Sequence, residues 1–478
     1  MEKAEKLIKK DENFSEWYVQ AVMHSGLFDY GEVSGTLIFR PEGYYIWESI
    51  QKAVDSLFKE AGIQNVYFPL LIPKHFLEKE KEHIEGFSAE VAWVTRGGQS
   101  ELEEELAVRP TSETIMYPAY SKWIRSWRDL PMRYNQWNNV VRWEFKHPTP
   151  LLRGREFLWN EGHTVFATRE EAEAERDQVL GIYKNVLQEY LALDGIVGQK
   201  TESETFPGAE KTFSIEFVMP DGRLSQGPDF HIDGQKFSKA FDITFLDKEG
   251  KRQYVYQNTF AISTRIIGIM LGIHGDDKGI IIPPKLAKIQ VVVVPIYSEE
   301  NKGDILKFAG EVKDRLSKSF RVFVDDNDAY SPGWKFNEWE RAGVPLRIEI
   351  GKKELASKSV TVSRRDTFAK ENVPVAELLE SIPKLLQAVH DSLYEKSKNF
   401  IKTKIVEVDS FEKLKEAVKS GYAVKVLWCG DKECEAKIKE ETAAKSSNIP
   451  FGEQDNINGK CVYCGKPAKY RLNFGRSY

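Results

Sequence analysis

All four cysteines of the 478-residue chain lie in its last quarter, as Cys429-x4-Cys434 and Cys461-x2-Cys464. Two close thiol pairs leave the tail few choices: one shared metal, two short disulfides, or four unrelated thiols. In a reducing compartment such a cluster points to metal more than to disulfides. Four thiolates at ~2.3 Å suit tetrahedral Zn2+. Gly430 and Gly465 allow the tight turns that close each pair. Sulfur at all four positions makes the expected Zn2+ structural, because catalytic zinc keeps one position open.

Ahead of the tail, the composition is that of a globular chain, with 41% hydrophobic and 29% charged residues. Disordered and fibrous classes are excluded. The 68 Lys and Arg against 73 Asp and Glu give a net charge of −5. A chain-wide electrostatic hold on nucleic acid is excluded with them, and any such contact must rest on local patches. The first seventeen residues are charged and amphipathic, without the apolar core of a secretory signal. No uncharged apolar run reaches the ~18 residues that span a bilayer. The longest, near Ile266, is bracketed by Arg265 and by Asp276 and Asp277. The expectation is a cytoplasmic chain with no membrane segment.

At ~150 residues per domain the length suggests about three domains. A Pro pair in the run 281–288 and a Lys-rich stretch near 398–404 divide the chain into 1–288, 289–400 and 401–478. In the first block Ile46, Trp47, Ile50, Ala53, Val54, Leu57, Phe58 and Ala61 form one apolar helical stripe, closed by Gly62. A strand is predicted at 66–68. Thr168 and Glu171 make a capping box for a helix through Tyr190 that closes near Gly195. Strand patterns at 140–145, 157–160, 212–218 and 240–245 predict an α+β domain on an antiparallel sheet. The second block alternates strands (290–296, 320–324, 346–351, 359–363) with helices ending at Leu316, opened by Pro332, and starting at Val375. It reads as α/β on a mixed sheet. The third block is a small α+β unit bearing the cysteines.

Two segments carry unusual chemistry. In N-N-V-V-R-W-E-F, Arg142 and Glu144 fall on one face of a strand pattern. In R-G-R-E-F-L-W-N-E-G-H, Arg153 and Arg155 precede Phe157, Trp159, Glu161 and His163, which alternate onto one face. Such a face is too polar for a simple core unless its charges are paired. A solvated face with surface ion pairs is the other reading. In A-V-R-P-T-S-E-T, Thr111 and Glu113 offer a hydroxyl and a carboxylate at a strand-to-helix turn. A plain Ser or Thr N-cap would look the same.

R-x-E, a loop, then R-x3-F resembles the second signature of class II aminoacyl-tRNA synthetases. The helix ending before Pro69 looks like their first, which builds a dimer interface. F-A-I-S-T-R-I-I-G-I looks like their third, with Arg265 as its arginine. Within the class, R-P-T-S-E-T, E-F-L-W-N-E-G-H-T and H-G-D-D-K-G-I-I-I-P-P-K-L-A resemble prolyl-tRNA synthetases of the archaeal and eukaryotic type, as do the cysteine tail and Tyr478. The resemblance runs from about Asn13 to Tyr478. It implies an antiparallel-sheet catalytic domain, an α/β anticodon-binding domain and a zinc-binding C-terminal domain, in a homodimer. It implies attachment of L-proline to tRNA(Pro) with ATP and Mg2+, through a prolyl-adenylate.

By the same resemblance Arg142, Glu144, Arg153, Phe157, Gln226, Asp229 and Arg265 bind ATP. Arg142, Glu144 and Arg265 carry the catalysis. Arg142 spans the α-phosphate and the amino-acid carboxylate, which its planar fork suits. Arg265 covers adenine opposite Phe157. Thr111 and Glu113 contact the proline amine, and Arg142, Trp159, Glu161, His163, Phe206, His231 and Ser263 shape its pocket. Proline anticodons carry guanine at the second and third positions, and Arg or Lys suits guanine acceptors. Glu340, Arg347 and Lys353 are expected to touch anticodon bases, and Arg364 and Arg365 phosphates. For each of these a solvated surface charge is the plain alternative.

Some positions depart from the family pattern. Q-G-P-D-F-H places Asp229 where a hydroxyl is common, Val165 and Phe166 follow E-G-H-T, and Phe260–Ala261 replaces an aromatic–glycine pair. Only 97 positions separate Thr168 from Arg265, which leaves no room for the editing insertion of bacterial-type prolyl enzymes. Other readings are a class II synthetase for another small amino acid, such as threonine or cysteine, a non-catalytic tRNA-binding paralogue, and a general zinc-ribbon nucleic-acid binder. The zinc-ribbon reading leaves the first ~280 residues unexplained, and the paralogue reading predicts the loss of Arg142, Glu144 or Arg265.

Overall fold

The computed structural model describes residues 7–83, 90–143 and 147–478. Its largest element is an eight-stranded sheet in the order Ile449–Pro450, Ile196–Gln199, Lys211–Val218, Leu224–Gly234, Tyr256–Ser263, Glu156–Phe166, Met132–Val141 and Gln64–Asn65. Neighbours are antiparallel except the last pair, which is parallel. One face is apolar. Phe213, Ile215, Phe230, Phe260 and Ile262 point from it into a core shared with the helices Pro41–Glu60, Arg169–Glu189 and Arg265–His274. Side chains alternate along a strand, so the polar residues between these apolar ones gather on the other face.

The long helices form where their caps and stripes place them. Thr168 Oγ1 accepts from Glu171 N at 3.2 Å, and Glu171 Oε2 accepts from Thr168 N at 3.2 Å. Val179, Tyr183, Val186 and Leu187 then bury one stripe against the sheet, each burial contributing roughly 1.5–3 kcal/mol. This helix ends at Glu189, and the chain turns at Ala192, whose φ is 52°. Gly195 is therefore not its cap. A Cβ there would lie 2.5 Å from Ile215, so the position is held small by packing.

Other boundaries shift for identifiable reasons. The strand expected at 66–68 begins earlier, at Gln64–Asn65, and Phe68 gives its N–H to the Gln136 side chain instead of a strand. The strand expected at 140–145 is Met132–Val141. Its amides at Asn135 and Gln136 hide an interior strand behind a polar sequence. At 240–245 a short helix, Lys236–Ala240, precedes the strand Thr244–Leu246.

The second block is a five-stranded mixed sheet in the order Val322–Val324, Val291–Pro295, Leu346–Ile350, Ser359–Arg364 and Lys370–Pro374. The first three strands run parallel, and Ser359–Arg364 is antiparallel to both of its neighbours. The charged edge strand Lys370–Pro374 gave no apolar signal. The helix Leu378–Lys404 continues past 400, so the Lys-rich stretch is the end of this helix. The third block pairs Ile405–Glu407, Ala423–Trp428, Tyr470–Gly475 and Lys445–Ser446 under the helices Phe411–Lys419 and Lys432–Thr442. Its strand Ile449–Pro450 extends the eight-stranded sheet. Among the described residues no helix is long and apolar enough to cross a membrane.

Candidate active site

The polar face of the large sheet is ordered in rows by strand register. Thr212, His231, Thr259 and His163 stand side by side in one row. Asp229, Ala261, Glu161 and Gln136 form the next, followed by Ser263, Trp159 and Asn138. These rows floor a cavity of about 400 Å³. Thr111, Glu113, Arg142, Phe157, Trp159, Glu161, His163, Phe206, Gln226, Asp229, His231, Ser263 and Arg265 all line it. A second cavity of about 290 Å³ contains Arg153 and shares Arg142, Phe157, Ser263 and Arg265 with the first. The structure thus brings together every pocket residue expected from the sequence except Glu144, which lies outside the described residues.

Arg142 follows the strand Met132–Val141 directly. Its Nε donates to Pro110 O at 3.1 Å, and its guanidinium stands 5.4 Å from the Phe157 ring centre and 5.3 Å from that of Trp159. Two aromatic walls and one carbonyl hold it where it lines both cavities. Arg265, the first residue of its helix, donates from Nε to Leu152 O at 3.1 Å and from Nη1 to Gln226 O at 3.4 Å. Burial, together with the like charge of Arg142, pulls its pKa below the usual arginine range. Two guanidiniums facing one wall repel each other, which an anion between them would relieve.

Glu161 is a fully occupied carboxylate. Donors from Ser112 N (3.0 Å), Ser112 Oγ, Gln136 Nε2 (3.1 Å), Asn138 Nδ2 (2.5 Å) and His163 Nε2 (3.4 Å) converge on it. Burial pushes its pKa up, but the hydrogen bonds and the charge of His163 outweigh burial and hold it at about 2. His163 is pulled above the ordinary histidine range. Burial opposes this, and the bond to Glu161 with the charges of Glu113 and Glu161 overcomes it. Its other nitrogen meets Tyr117 Oη at 3.2 Å.

Ser112 occupies the N-cap position of the helix Glu113–Trp123, yet its side chain makes no cap bond. Its hydroxyl goes to Glu161 instead, so the plain capping reading of R-P-T-S-E-T does not hold. Thr111 Oγ1 donates to Glu113. His231 shares a 2.8 Å bond with Thr212 Oγ1 and packs 5.0 Å from Phe206. Asp229 accepts from Gln226 Nε2 at 2.7 Å and lies 3.6 Å from His231 Nε2. Among the described residues its other oxygen, buried, meets no hydrogen-bond partner. Phe260 turns away from the substrate face, stacking at 5.8 Å on Phe230 in the core. Sequence reasoning missed Ser112, Gln136 and Asn138. Amides at alternate positions of Met132–Val141, Gln136 and Asn138, were the available signal.

In the second block Arg347 is buried. It donates to Glu340 at 2.8 Å and to Glu349 at 3.0 Å, and lies 4.0 Å over Phe336. Lys353 is exposed on the helix Lys352–Ser357. Arg364 and Arg365, expected at phosphates, are held by internal carboxylates in this tRNA-free structure. Arg364 forks onto Asp366 at 3.0 and 2.7 Å, and Arg365 onto Asp276 at 2.7 and 2.7 Å.

In the tail, Cys434 and Cys461 sulfurs stand 3.5 Å apart and those of Cys429 and Cys464 3.6 Å. All four lie within 4.8 Å of one another. A disulfide needs ~2.05 Å, whereas a tetrahedron with ~2.3 Å metal–sulfur bonds has edges of ~3.8 Å. The donor set therefore fits one tetrahedral Zn2+.

Comparison with known proteins gives three family matches. Residues 93–274 match the tRNA synthetase class II core domain (G, H, P, S and T). Residues 290–385 match an anticodon binding domain, and residues 411–478 the prolyl-tRNA synthetase C-terminal domain. The chain is 47% identical to proline–tRNA ligase 2 of Clostridioides difficile (strain 630), over 99% of this chain and 98% of the relative. It is 46% identical to the proline–tRNA ligase of Agathobacter rectalis over 100% of both. A crystal structure of prolyl-tRNA synthetase from Cryptosporidium parvum, complexed with halofuginone and AMPPNP, superposes with a TM-score of 0.94. It is 44% identical and covers 98% of this chain and 99% of that one.

Proposed function

The chain belongs to the class II prolyl-tRNA synthetases, and from that membership we propose how its site joins L-proline to tRNA(Pro) with ATP. The activity is that of a proline–tRNA ligase. The carboxylate of proline attacks the α-phosphorus of ATP, the bond to the β-phosphate oxygen breaks, and prolyl-adenylate and pyrophosphate form. The prolyl group then passes to the terminal ribose of the tRNA and AMP leaves.

One observation carries the assignment of roles: Arg142, Phe157, Ser263 and Arg265 line both cavities. The larger cavity is the amino-acid pocket and the smaller continues the nucleotide site toward Arg153. The carboxylate and the α-phosphate then meet at Arg142. Two anions repel each other on approach, and a fixed guanidinium between them offsets that repulsion while orienting both. Arg265 and Phe157 enclose the adenine. ATP arrives as its Mg2+ complex.

The proline amine is cationic and needs an acceptor. Five donors already satisfy Glu161, so Glu113, with Thr111, takes the amine. Trp159, Phe206 and His231 enclose the apolar ring, and Asp229 and Gln226 close the nucleotide side. Glu161 and His163 order the pocket floor.

Several further assignments accompany this reading. The protein is of the archaeal and eukaryotic type, which the cysteine-bearing tail and the full-length likeness to the Cryptosporidium parvum structure support. It works as a cytoplasmic homodimer. Exposed apolar side chains at Tyr67, Leu70, Leu71 and Trp93 support a contact surface there. The domains divide at 288 and after Lys404. Glu340, Arg347 and Lys353 read the anticodon guanines, and the four cysteines hold structural Zn2+. Proline-dependent exchange of pyrophosphate into ATP tests the scheme. Arg142→Ala is expected to lower it about 10²–10³-fold, and exchange that survives this change refutes the role of Arg142.

A further inference from the structure

The helix Arg265–His274 begins at a guanidinium that lines both cavities and ends against the anticodon-binding block. Its C-terminal carbonyls are gripped from two sides. Lys10 Nζ donates to Ile273 O at 3.2 Å and Gly275 O at 2.7 Å, and Lys396 Nζ donates to His274 O at 2.8 Å. Two residues beyond the helix, Asp276 receives the fork of Arg365 in two bonds of 2.7 Å. The Arg365 side chain is 1% exposed, and its Nε donates to Glu340 O at 2.7 Å. Glu340 Oε1 in turn accepts from Arg347 at 2.8 Å. The turn that contains Asp276 also presses directly on the other block. A Cβ on Gly279 would sit 2.9 Å from Arg341 Cα, and Ile282 N donates to Gly343 O at 3.1 Å.

These contacts leave little slack. A buried bidentate pair fixes direction as well as distance, and removing one partner strands the other charge. The string H-G-D-D-K-G supplies Asp276 and Gly279, so it builds the joint and not the pocket. From Arg347 the hydrogen-bonded chain runs through Glu340, Arg365 and Asp276 to the end of the helix whose start is Arg265.

We infer that Arg365 and Asp276 are positioning residues that couple base reading at Glu340 and Arg347 to the placement of Arg265 over the nucleotide. The inference rests on the proposed roles of Arg347 and Arg265. A guanine that engages Arg347 changes how Glu340 is held, and the Arg365 fork passes that change to Asp276. Such coupling is a difference in free energy between two states, which the correct anticodon favours. Contiguity is only its route, so its signature is a tRNA-dependent change in kcat.

The test compares wild type, Arg365→Lys, Asp276→Asn and the double variant in two assays. Proline-dependent pyrophosphate exchange without tRNA reads the catalytic site alone. Charging is measured with tRNA(Pro) and with the same tRNA carrying adenine at the second anticodon position. Exchange is expected to stay within about twofold of wild type in all variants. For tRNA(Pro) the charging kcat is expected to fall about tenfold in each single variant and no further in the double. For the altered tRNA it is expected to change less than about twofold. Folded single variants that charge tRNA(Pro) at the wild-type kcat overturn the inference. So does an equal loss on both tRNAs, or a parallel loss in exchange, because a merely structural role produces either. Should Asp276→Asn not fold, Arg365→Lys decides alone, since it keeps the charge and loses only the fork. Absence of proline-dependent exchange in wild type would instead refute the parent reading.

Discussion

The indole N–H of Trp159 donates to Asn138 Oδ1 at 2.6 Å, and the same amide donates to Glu161 at 2.5 Å. Asn138 therefore ties the aromatic wall beneath Arg142 to the carboxylate that orders the pocket floor. Replacing it with leucine keeps the bulk and leaves two buried polar groups without this partner, at a cost of about 1–3 kcal/mol. Exchange kcat/KM for proline is expected to fall about 5–100-fold in Asn138→Leu. Trp159→Phe removes the indole donor from the other side. The double variant should lose less than the two single losses combined. Full additivity would show that the two side chains act separately.

The pair Glu161 and His163 predicts a pH window for stability. Glu161 is held at about 2, below the ordinary 4.5, so its contribution is complete above 4.5 and disappears as pH falls toward 2. His163 is raised above 6.5, so its contribution is complete below 6.5 and disappears as pH rises through the raised value. Both contributions are present together between about 4.5 and 6.5. Thermal midpoints measured across pH should decline on both sides of that window. In His163→Gln the decline on the alkaline side should flatten, and an unchanged alkaline limb would remove His163 as its source.

How much of this was legible in the chain depends on where each residue's partner lies. Arg142, Trp159, Glu161 and His163 sit close in sequence, and alternation alone puts the last three on one face. Thr111 and Glu113 were visible as a string, but their meeting with Glu161 needs the sheet. Ser112, Gln136 and Asn138 act through bonds to a neighbouring strand, and register is not encoded by either strand alone. The Arg365–Asp276 pair was not legible because a doublet of arginines looks alike whether it faces solvent or an acid 89 positions away. The strand Lys370–Pro374 was missed because a mostly exposed edge strand carries little apolar pattern.

Gly162 sits between Glu161 and His163 with the Phe260 ring against it. A Cβ there would stand 2.0 Å from Phe260 Cε2. Phe260 cannot retreat, since Phe230 and Phe58 pack at 5.8 and 5.5 Å on it. Gly162→Ala is expected to destabilise the fold by about 1–3 kcal/mol, read as a lower midpoint in urea. Adding Phe260→Leu should restore part of the loss. If the double variant is no more stable than Gly162→Ala, this contact is not the cause.

The tail offers a test of metal against disulfide that also probes its docking. Cys434 lies on the helix Lys432–Thr442, next to Glu435, whose carboxylate accepts from Thr201 Oγ1 at 2.8 Å on the catalytic side. The metal would thus brace the helix that holds the tail to the large sheet. Because unfolded chains lack the preformed site, metal affinity adds directly to folding stability. Elemental analysis should find one zinc per chain. Thiol titration in denaturant with chelator, without reductant, should find four free thiols. Cys434→Ser should lower both the zinc content and the thermal midpoint, and chelator should lower the wild-type midpoint toward that of the variant. Fewer than four free thiols would point to disulfides, and a chelator-insensitive midpoint would deny the metal its bracing role.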